Sequence, residues 1–311
     1  MQLISIIIAA YNEEKTIGPC LDSLKVLTYD YSNLEIIVVN NNSTDRTVEI
    51  VKNYPVKLVH ETVSGPGYAR NRGIQEAQYD IVVFIDSDVV VSSNWLISLT
   101  NPFKNSSIGA VGGRILPIKK TIVSDYLGHS LFGKYRRDIK PKYETAFPSC
   151  NLAVRKELVK EGFDTTLPIY SEDLDLTTRI INQGYEIYYE PAALVYHEHP
   201  VTLKQLFQYW KKSTRGRVAF CSKYPKKKTC MIMRTHIFTL HFISLLAGSL
   251  VFPFWLLSII PVLLLTWVRM FRESEGGDKM GLMIIITPVF DFISVYAVSI
   301  YYSLYRFRIL K

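Results

Sequence analysis

Four short apolar runs near the start of this chain each lead into a polar, turn-rich cluster, and that pattern narrows the fold more than any other feature. Leu3–Ala10 runs into Tyr11-Asn12-Glu13-Glu14, and Leu34–Asn40 into Asn41-Asn42-Ser43-Thr44-Asp45. Val56–His60 is followed by Ser64-Gly65-Pro66-Gly67, and Ile81–Ile85 by Asp86-Ser87-Asp88. Between them lie the helical segments Glu13–Leu27, Thr44–Asn53 and Gly67–Ala77, with Ser43 placed to cap the second. Strands alternating with helices of this length predict βαβ units with right-handed connections. The fold class expected is α/β, a Rossmann-like and mainly parallel sheet with helices on both faces. Trp95–Phe103 reads as a further helix, Ile108–Leu116 as a strand and Leu174–Gln183 as a helix, while Pro117–Pro148 is unreadable beyond being polar with interleaved aromatic and basic residues.

In open α/β sheets, ligands bind at the carboxyl ends of the strands. Asp86 and Asp88 would stand at such an end, two hard oxygen donors one residue apart. Such donors suit Mg²⁺ or Mn²⁺ held jointly by protein and a substrate diphosphate. An Asp-x-Asp alone also ends many strands by chance. Four polar clusters at four strand ends are harder to explain as independent loops.

Taken together, these clusters resemble glycosyltransferase family 2 with its GT-A fold. The resemblance is carried by Ser5-Ile6-Ile7-Ile8-Ala9-Ala10-Tyr11-Asn12-Glu13, Val38-Val39-Asn40-Asn41-Asn42-Ser43-Thr44-Asp45, Gly67-Tyr68-Ala69-Arg70-Asn71-Arg72-Gly73 and Asp86-Ser87-Asp88. Ser149-Cys150-Asn151-Leu152-Ala153 and Glu172-Asp173 extend it to about residue 200. It implies that Ala10, Tyr11 and Glu13 cradle the nucleoside and that Arg70 meets the diphosphate, as a guanidinium can do bidentately. Asp88 becomes the direct metal ligand, with Asp86 toward ribose or metal. Asn40 or Asn41 stands where the family carries an Asp beside the base, a departure that leaves the donor's base open between UDP and GDP. Asp173 looks like the general base of inverting members, with Glu172 as its neighbouring candidate. The resemblance puts Asn151 near the acceptor or donor sugar. His197, in Val195-Tyr196-His197-Glu198-His199, would be a late metal ligand.

The rest of the chain points to a membrane. The net charge of +8 is concentrated in 204–234, which holds ten Lys or Arg and no acid. Nucleic acid is one partner for such a block, but here it abuts an apolar segment, which favours an anionic membrane surface. Leu203, Leu206, Phe207 and Trp210 recur at helical spacing, as in an interfacial amphipathic helix. Thr235–Val268 contains no charged residue over 34 positions, and Gly281–Tyr305 contains only Asp291. Stretches this long read as transmembrane helices. The boundaries expected are a catalytic domain at 1–202, a basic interfacial segment at 203–234 and a transmembrane region at 235–311. Met1-Gln2-Leu3 lacks a basic leader, so the first domain is expected in the cytoplasm, on a multi-pass protein of the cell membrane. Cys20, Cys150, Cys221 and Cys230 show no metal-ligand spacing and read as reduced thiols.

The expectation is therefore an inverting, metal-dependent glycosyltransferase that moves a sugar from a nucleotide-sugar donor to a membrane-associated acceptor. Polyprenyl phosphate or a lipid-linked saccharide would serve as acceptor, as in the polyprenyl-phosphate hexose synthases. A processive polysaccharide synthase is the alternative enzyme. Its Q-x-x-R-W signature is absent, the nearest text being Gln208-Tyr209-Trp210-Lys211. A non-catalytic binding protein on the same fold would be expected to lack the acids at 86, 88 and 173. A nucleotidyltransferase would need a Gly-rich phosphate loop that Ala9–Glu14 does not offer.

Overall fold

The fold was analysed in a computed structural model that describes residues 2–129, 142–144 and 146–224, with the single positions 260 and 264. The described residues fall into two units, one within Met1–Ile118 and Lys134–His199, the other within Lys119–Gly133 and Pro200–Lys311.

The first unit is built on a sheet whose opening strands are β1 (Ile4–Ala10), β2 (Leu34–Asn40), β3 (Lys57–His60) and β4 (Ile81–Asp86). These pair in parallel, β3-β2-β1-β4, as the alternating pattern requires. β1 and β4 are almost wholly buried, which is why they read as continuous Ile/Val runs instead of alternating ones. The helices between them are α1 (Ile17–Lys25), α2 (Thr47–Val51) and α3 (Pro66–Glu76). α3 starts with Pro66 in its first turn, where a missing N–H costs nothing. It lies so close on β1 that a Cβ on Gly73 would come 2.3 Å from the Ile7 side chain.

Beyond β4 the sheet departs from the expectation. The later strands are β5 (Val89–Val91), β6 (Ile108–Pro117), β7 (Lys142–Glu144), β8 (Asn151–Arg155) and β9 (Glu186–His197). β8 runs antiparallel between β4 and β6, and β9 is parallel to β6 but antiparallel to β5 and β7. The sheet is thus mixed, where a mainly parallel one was expected. The regular strand–helix–strand alternation that forces parallel pairing between neighbours holds only up to β4: β4 leads to β5 with no helix between them, and β7 leads directly to β8. Helices α4 (Trp95–Thr100) and α6 (Glu172–Asn182) pack on β6 and β9.

The second unit contains α5 (Ile122–His129) and α7 (Leu203–Lys223). α5 lies in the stretch the sequence left unread. α7 opens with a capping box: Thr202 accepts from the Gln205 backbone while the Gln205 side chain accepts from the Thr202 N–H. The stripe expected on α7 divides. Leu206 and Trp210 are buried, with Trp210 edge-on to Tyr126, whereas Leu203 and Phe207 are about half exposed beside the exposed Lys204, Lys211 and Lys212. Among the described residues no helix is long and apolar enough to cross a membrane. The apolar segments Thr235–Val268 and Gly281–Tyr305 lie outside the described residues.

Candidate active site

Strand register sets the site. Asp86 pairs with Ala9, Asn40 with Ala10, and His60 with Asn40, so the polar clusters come out along one carboxyl edge. Antiparallel β8 delivers Asn151 opposite Ile85, which carries Ser149 and Cys150 to the same edge. His197, the last residue of β9, is paired with Val89, one residue beyond Asp88.

The acids meet two cations there. Arg70 donates through one nitrogen to Asp86 (2.9 Å) and through another to Glu172 (3.2 Å), so a single guanidinium ties α3, β4 and α6 together. His197 Nε2 stands 3.6 Å from both Asp86 Oδ2 and Asp88 Oδ1. Its Nδ1 is 2.9 Å from the Glu198 carbonyl, the partner to which an Nδ1–H donates; that bond turns Nε2 toward the two carboxylates. Two carboxylates and an oriented imidazole nitrogen fit a divalent cation of the Mg²⁺ or Mn²⁺ class.

Electrostatics tell the same story. Burial alone would raise Asp86, but the charges of Arg70 and His197 hold its carboxyl well below the usual range. Asp88 is raised, chiefly by burial, with His197 opposing and Asp86 adding to the rise. Burial disfavours charge on His197, yet Asp88 and Asp86 outweigh it and lift the imidazole to about 9. Arg70 behaves alike: burial opposes its charge, and Asp86, Asp173 and Glu172 more than compensate. Glu13 is raised chiefly by burial, against its hydrogen bond from Thr16 and with help from Asp88, Asp86 and Glu198. The cluster is therefore acid-rich and favours positive charge beside it.

The residues expected to cradle the nucleoside separate into surface and scaffold. Tyr11 is 59% exposed and Ala10 is buried. Around them, Asn12 (φ 55°) accepts from the Thr44 backbone, and the Glu13 N–H donates to Thr47, stitching the β1–α1 turn to the β2–α2 loop. Ser43 accepts from the Asn12 N–H and is not the helix cap; Asp45 accepts from the Thr47 N–H instead. Asn41 is spent on structure: its amide donates to the Glu61 and Val63 carbonyls and accepts from the Gly65 N–H. Both ends of the Asn41 amide, expected beside the base, are thus engaged by the 61–65 loop. Asn40 faces His60 at 3.2 Å and accepts from the Ser43 N–H.

Asn151, expected near a sugar, is held by the protein itself. It is fully buried, accepts from the Trp95 indole N–H (2.8 Å) and donates to the Arg114 and Ala193 carbonyls. The amide's acceptor and both its donors are thus engaged inside the protein, so Asn151 anchors three elements. Asn71 does similar work, exchanging hydrogen bonds with the Phe163 backbone.

Glu172 and Asp173 lie in the first turn of α6, where the helix end favours negative charge. Glu172 is the partner of Arg70 through one oxygen and accepts from the Ser171 N–H through the other, so both oxygens are engaged. Asp173 is 3% exposed and close enough to act on Arg70. The chain enters this turn through Tyr170 at φ 77°, a conformation that costs a non-glycine residue on the order of 1 kcal/mol or more. Sequence reasoning missed Cys150, whose sulfur lies within 4.8 Å of ligand atoms on both Asp86 and His197. Its signal was position within Ser149-Cys150-Asn151, not spacing to another ligand.

This geometry has known counterparts. The chain is 25% identical to the probable glycosyltransferase YdaM of Bacillus subtilis (strain 168) over 97% of its own length and 82% of that protein. It is 31% identical to the poly-beta-1,6-N-acetyl-D-glucosamine synthase of Staphylococcus epidermidis over 68% of this chain, but spans only 53% of the synthase. Among solved structures, the mannosyltransferase PcManGT from Pyrobaculum calidifontis, in complex with GDP-Man and Mn²⁺, superposes with a TM-score of 0.58 at 22% identity, covering 72% of this chain and 64% of that one. The family described as Glycosyl transferase family 2 matches residues 5–163, just over half of the chain, and the chain therefore belongs to that family, as a glycosyltransferase.

Proposed function

We propose that this glycosyltransferase is inverting and metal-dependent, and that it moves a hexose from a UDP- or GDP-linked donor to a lipid-borne acceptor at the cytoplasmic face of a membrane. The observation that carries the reading is the convergence of Asp86, Asp88 and His197 beside Arg70, with Asp173 close enough to act on the same guanidinium. Arg70 binds and orients the donor diphosphate, and Glu172 holds the guanidinium in place. Asp173 takes the proton from the attacking acceptor hydroxyl. Asp86, Asp88 and His197 would hold a divalent cation, whose chemistry is to offset charge gathering on a departing diphosphate. Structures of the same fold are described with GDP-Man and Mn²⁺ and with Mn²⁺ and UDP-glucose, which supports both the donor class and the ion.

The membrane part rests on the chain's own chemistry. Exposed Leu203 and Phe207 are flanked by Lys204, Lys211 and Lys212, and the uncharged 34-residue segment follows the basic block. On this reading a catalytic domain at 1–202 is followed by an interfacial segment at 203–234 and a membrane region at 235–311, as would suit a polyprenyl-phosphate hexose synthase. A second reading, processive polymer synthesis, is favoured by the likeness to the poly-beta-1,6-N-acetyl-D-glucosamine synthase. One experiment separates them. Membranes carrying the chain are offered radiolabelled UDP- and GDP-sugars with lipid extract, with and without chelator. A single-sugar, chloroform-soluble, chelator-sensitive product is expected. A long water-soluble polymer would move the assignment to the second reading, and turnover indifferent to chelator would remove the metal.

A further inference from the structure

The cation site carries a sulfur. Among the described residues, Asp86, Cys150 and His197 form a group whose three ligand atoms all lie within 4.8 Å of one another. Cys150 is 4% exposed and immediately precedes β8, whose first residue Asn151 is locked by Trp95, Arg114 and Ala193. The backbone that presents the thiol is therefore pinned on several sides. His197 reaches the group through Nε2. A second sulfur, Cys20, is also close, but its S–H donates to the Asp86 backbone carbonyl at 3.8 Å and it is not part of the ligand group.

Oxygen ligands suit Mg²⁺ and Mn²⁺, whereas thiolate with imidazole selects Zn²⁺ and its heavier congener Cd²⁺. Three protein ligands with one position left open is a common zinc arrangement. Ligands at zinc-like bond lengths stand about 3.5 Å apart, so closing this triangle requires side-chain shifts of about 1 Å. We infer that Cys150, with Asp86 and His197, makes this a mixed hard and soft site that captures thiophilic divalent cations and so displaces the ion used for sugar transfer. Binding is a proton exchange: the S–H bond of Cys150 breaks, a metal–sulfur bond forms, and the proton leaves to buffer. The inference rests on reading Asp86, Asp88 and His197 as the divalent-cation site.

The test uses the full chain in detergent. Cd²⁺ is titrated while the thiolate-to-cadmium absorption is followed, and Mn²⁺ binding is read separately by electron paramagnetic resonance. The expected result is a cadmium–thiolate band that saturates at one ion per chain, together with release of bound Mn²⁺ by Zn²⁺. Cys150→Ser should abolish the band and weaken Cd²⁺ by at least the 10–100-fold that even an outer-shell loss costs, ~10-fold being the minimum. Mn²⁺ affinity should stay within about twofold. Cys20→Ser should keep the band. If Cys150→Ser does not fold, Asp86→Asn decides, since it should weaken Cd²⁺ by about 10-fold or more while the band persists at saturation. Wild-type protein that binds Mn²⁺ but gives no band overturns the sulfur ligand and leaves the proposed function standing. Protein that binds neither ion overturns both, and a band undiminished in Cys150→Ser assigns the sulfur to another cysteine and overturns the inference.

Discussion

The first four strands and the five that follow bring residues to the same edge by different means. In the β1–β4 half, backbone geometry suffices: parallel strands in register end together, and Ala9, Asn40, His60 and Asp86 line up through ladder hydrogen bonds alone. In the β5–β9 half, strands of mixed direction are held by buried side chains. Asn151 joins β8 to Trp95 and β9, and Gly113 is so tightly enclosed that a Cβ would come 2.2 Å from the Ala193 carbonyl. On the proposed function the first half would meet the nucleotide, while the second carries Asp173 and His197, the groups that would set the chemistry. Damage to the two halves should therefore look different.

The largest contrast should come from two carboxylates. Asp173→Asn is expected to lower turnover by about 10²–10⁴-fold, the usual worth of a general base, while donor binding is nearly unchanged. Asp88→Asn should lower donor affinity and turnover together, because it removes a cation ligand from the nucleotide side. Calorimetry of donor binding beside steady-state kinetics reads both. Retained turnover in Asp173→Asn would remove that residue as the base.

Arg70 belongs to both halves, so its loss sharpens the comparison. Arg70→Met leaves Glu172, 6% exposed at its side chain, without its cation. Removing one member of a buried pair costs about 3–5 kcal/mol, and about 3 is expected here because Asp86 is partly solvated. Adding Glu172→Gln should restore part of that stability but no turnover. Urea denaturation of the single and double variants checks the coupling; strictly additive losses would break the bridge between the halves.

What the sequence made legible follows the same division. Leu34–Asn40 was placed to the residue, and β1, β3 and β4 within one, because buried parallel strands are uninterrupted apolar runs bounded by polar turns. Asp86, Asp88, Arg70 and His197 were all singled out, and the structure brings them together. β5, β8 and β9 were not read. Their pairing is long-range and of mixed direction, with partners such as Ile85 and Asn151 separated by the stretch 117–148. Cys150 was missed for that reason: its neighbours Asp86 and His197 are distant in sequence, so no local spacing records the cluster. Asn41 and Asn151 sit in motifs that matched a family, but motif membership does not say whether an amide faces ligand or backbone.

Two hydrogen-bond deletions compare how each half is fastened. Trp95→Phe removes the donor to the buried Asn151 oxygen and should cost about 1–3 kcal/mol. Asn41→Ala, on the first half, removes the pin of the 61–65 loop and leaves more accessible backbone groups, so a loss near 1 kcal/mol is expected. Chemical denaturation measures both. A larger loss for Asn41→Ala would reverse the claim that the second half depends more on side-chain pins.

The smallest expected effect concerns charge at the junction of the halves, and its sign is fixed by His197. The acids Asp88 and Asp86 raise this imidazole from 6.5 to about 9 in the folded, cation-free protein. A group whose folded value is raised stabilises the fold fully below its unfolded value and loses that contribution as pH climbs through the folded one. With chelator present, the melting temperature should therefore decline between about pH 6.5 and about pH 9. His197→Gln should flatten that decline. Asp86 works in the opposite direction and outside this window, since its depressed carboxyl contributes stability that is lost only on acidification below the usual carboxylate range. Mn²⁺ should raise the melting temperature more at pH 9 than at pH 6.5, because fewer of the imidazoles carry the competing proton there. Equal shifts at both pH values would mean that the imidazole is not a ligand, and the second half would then contribute no donor to the proposed ion.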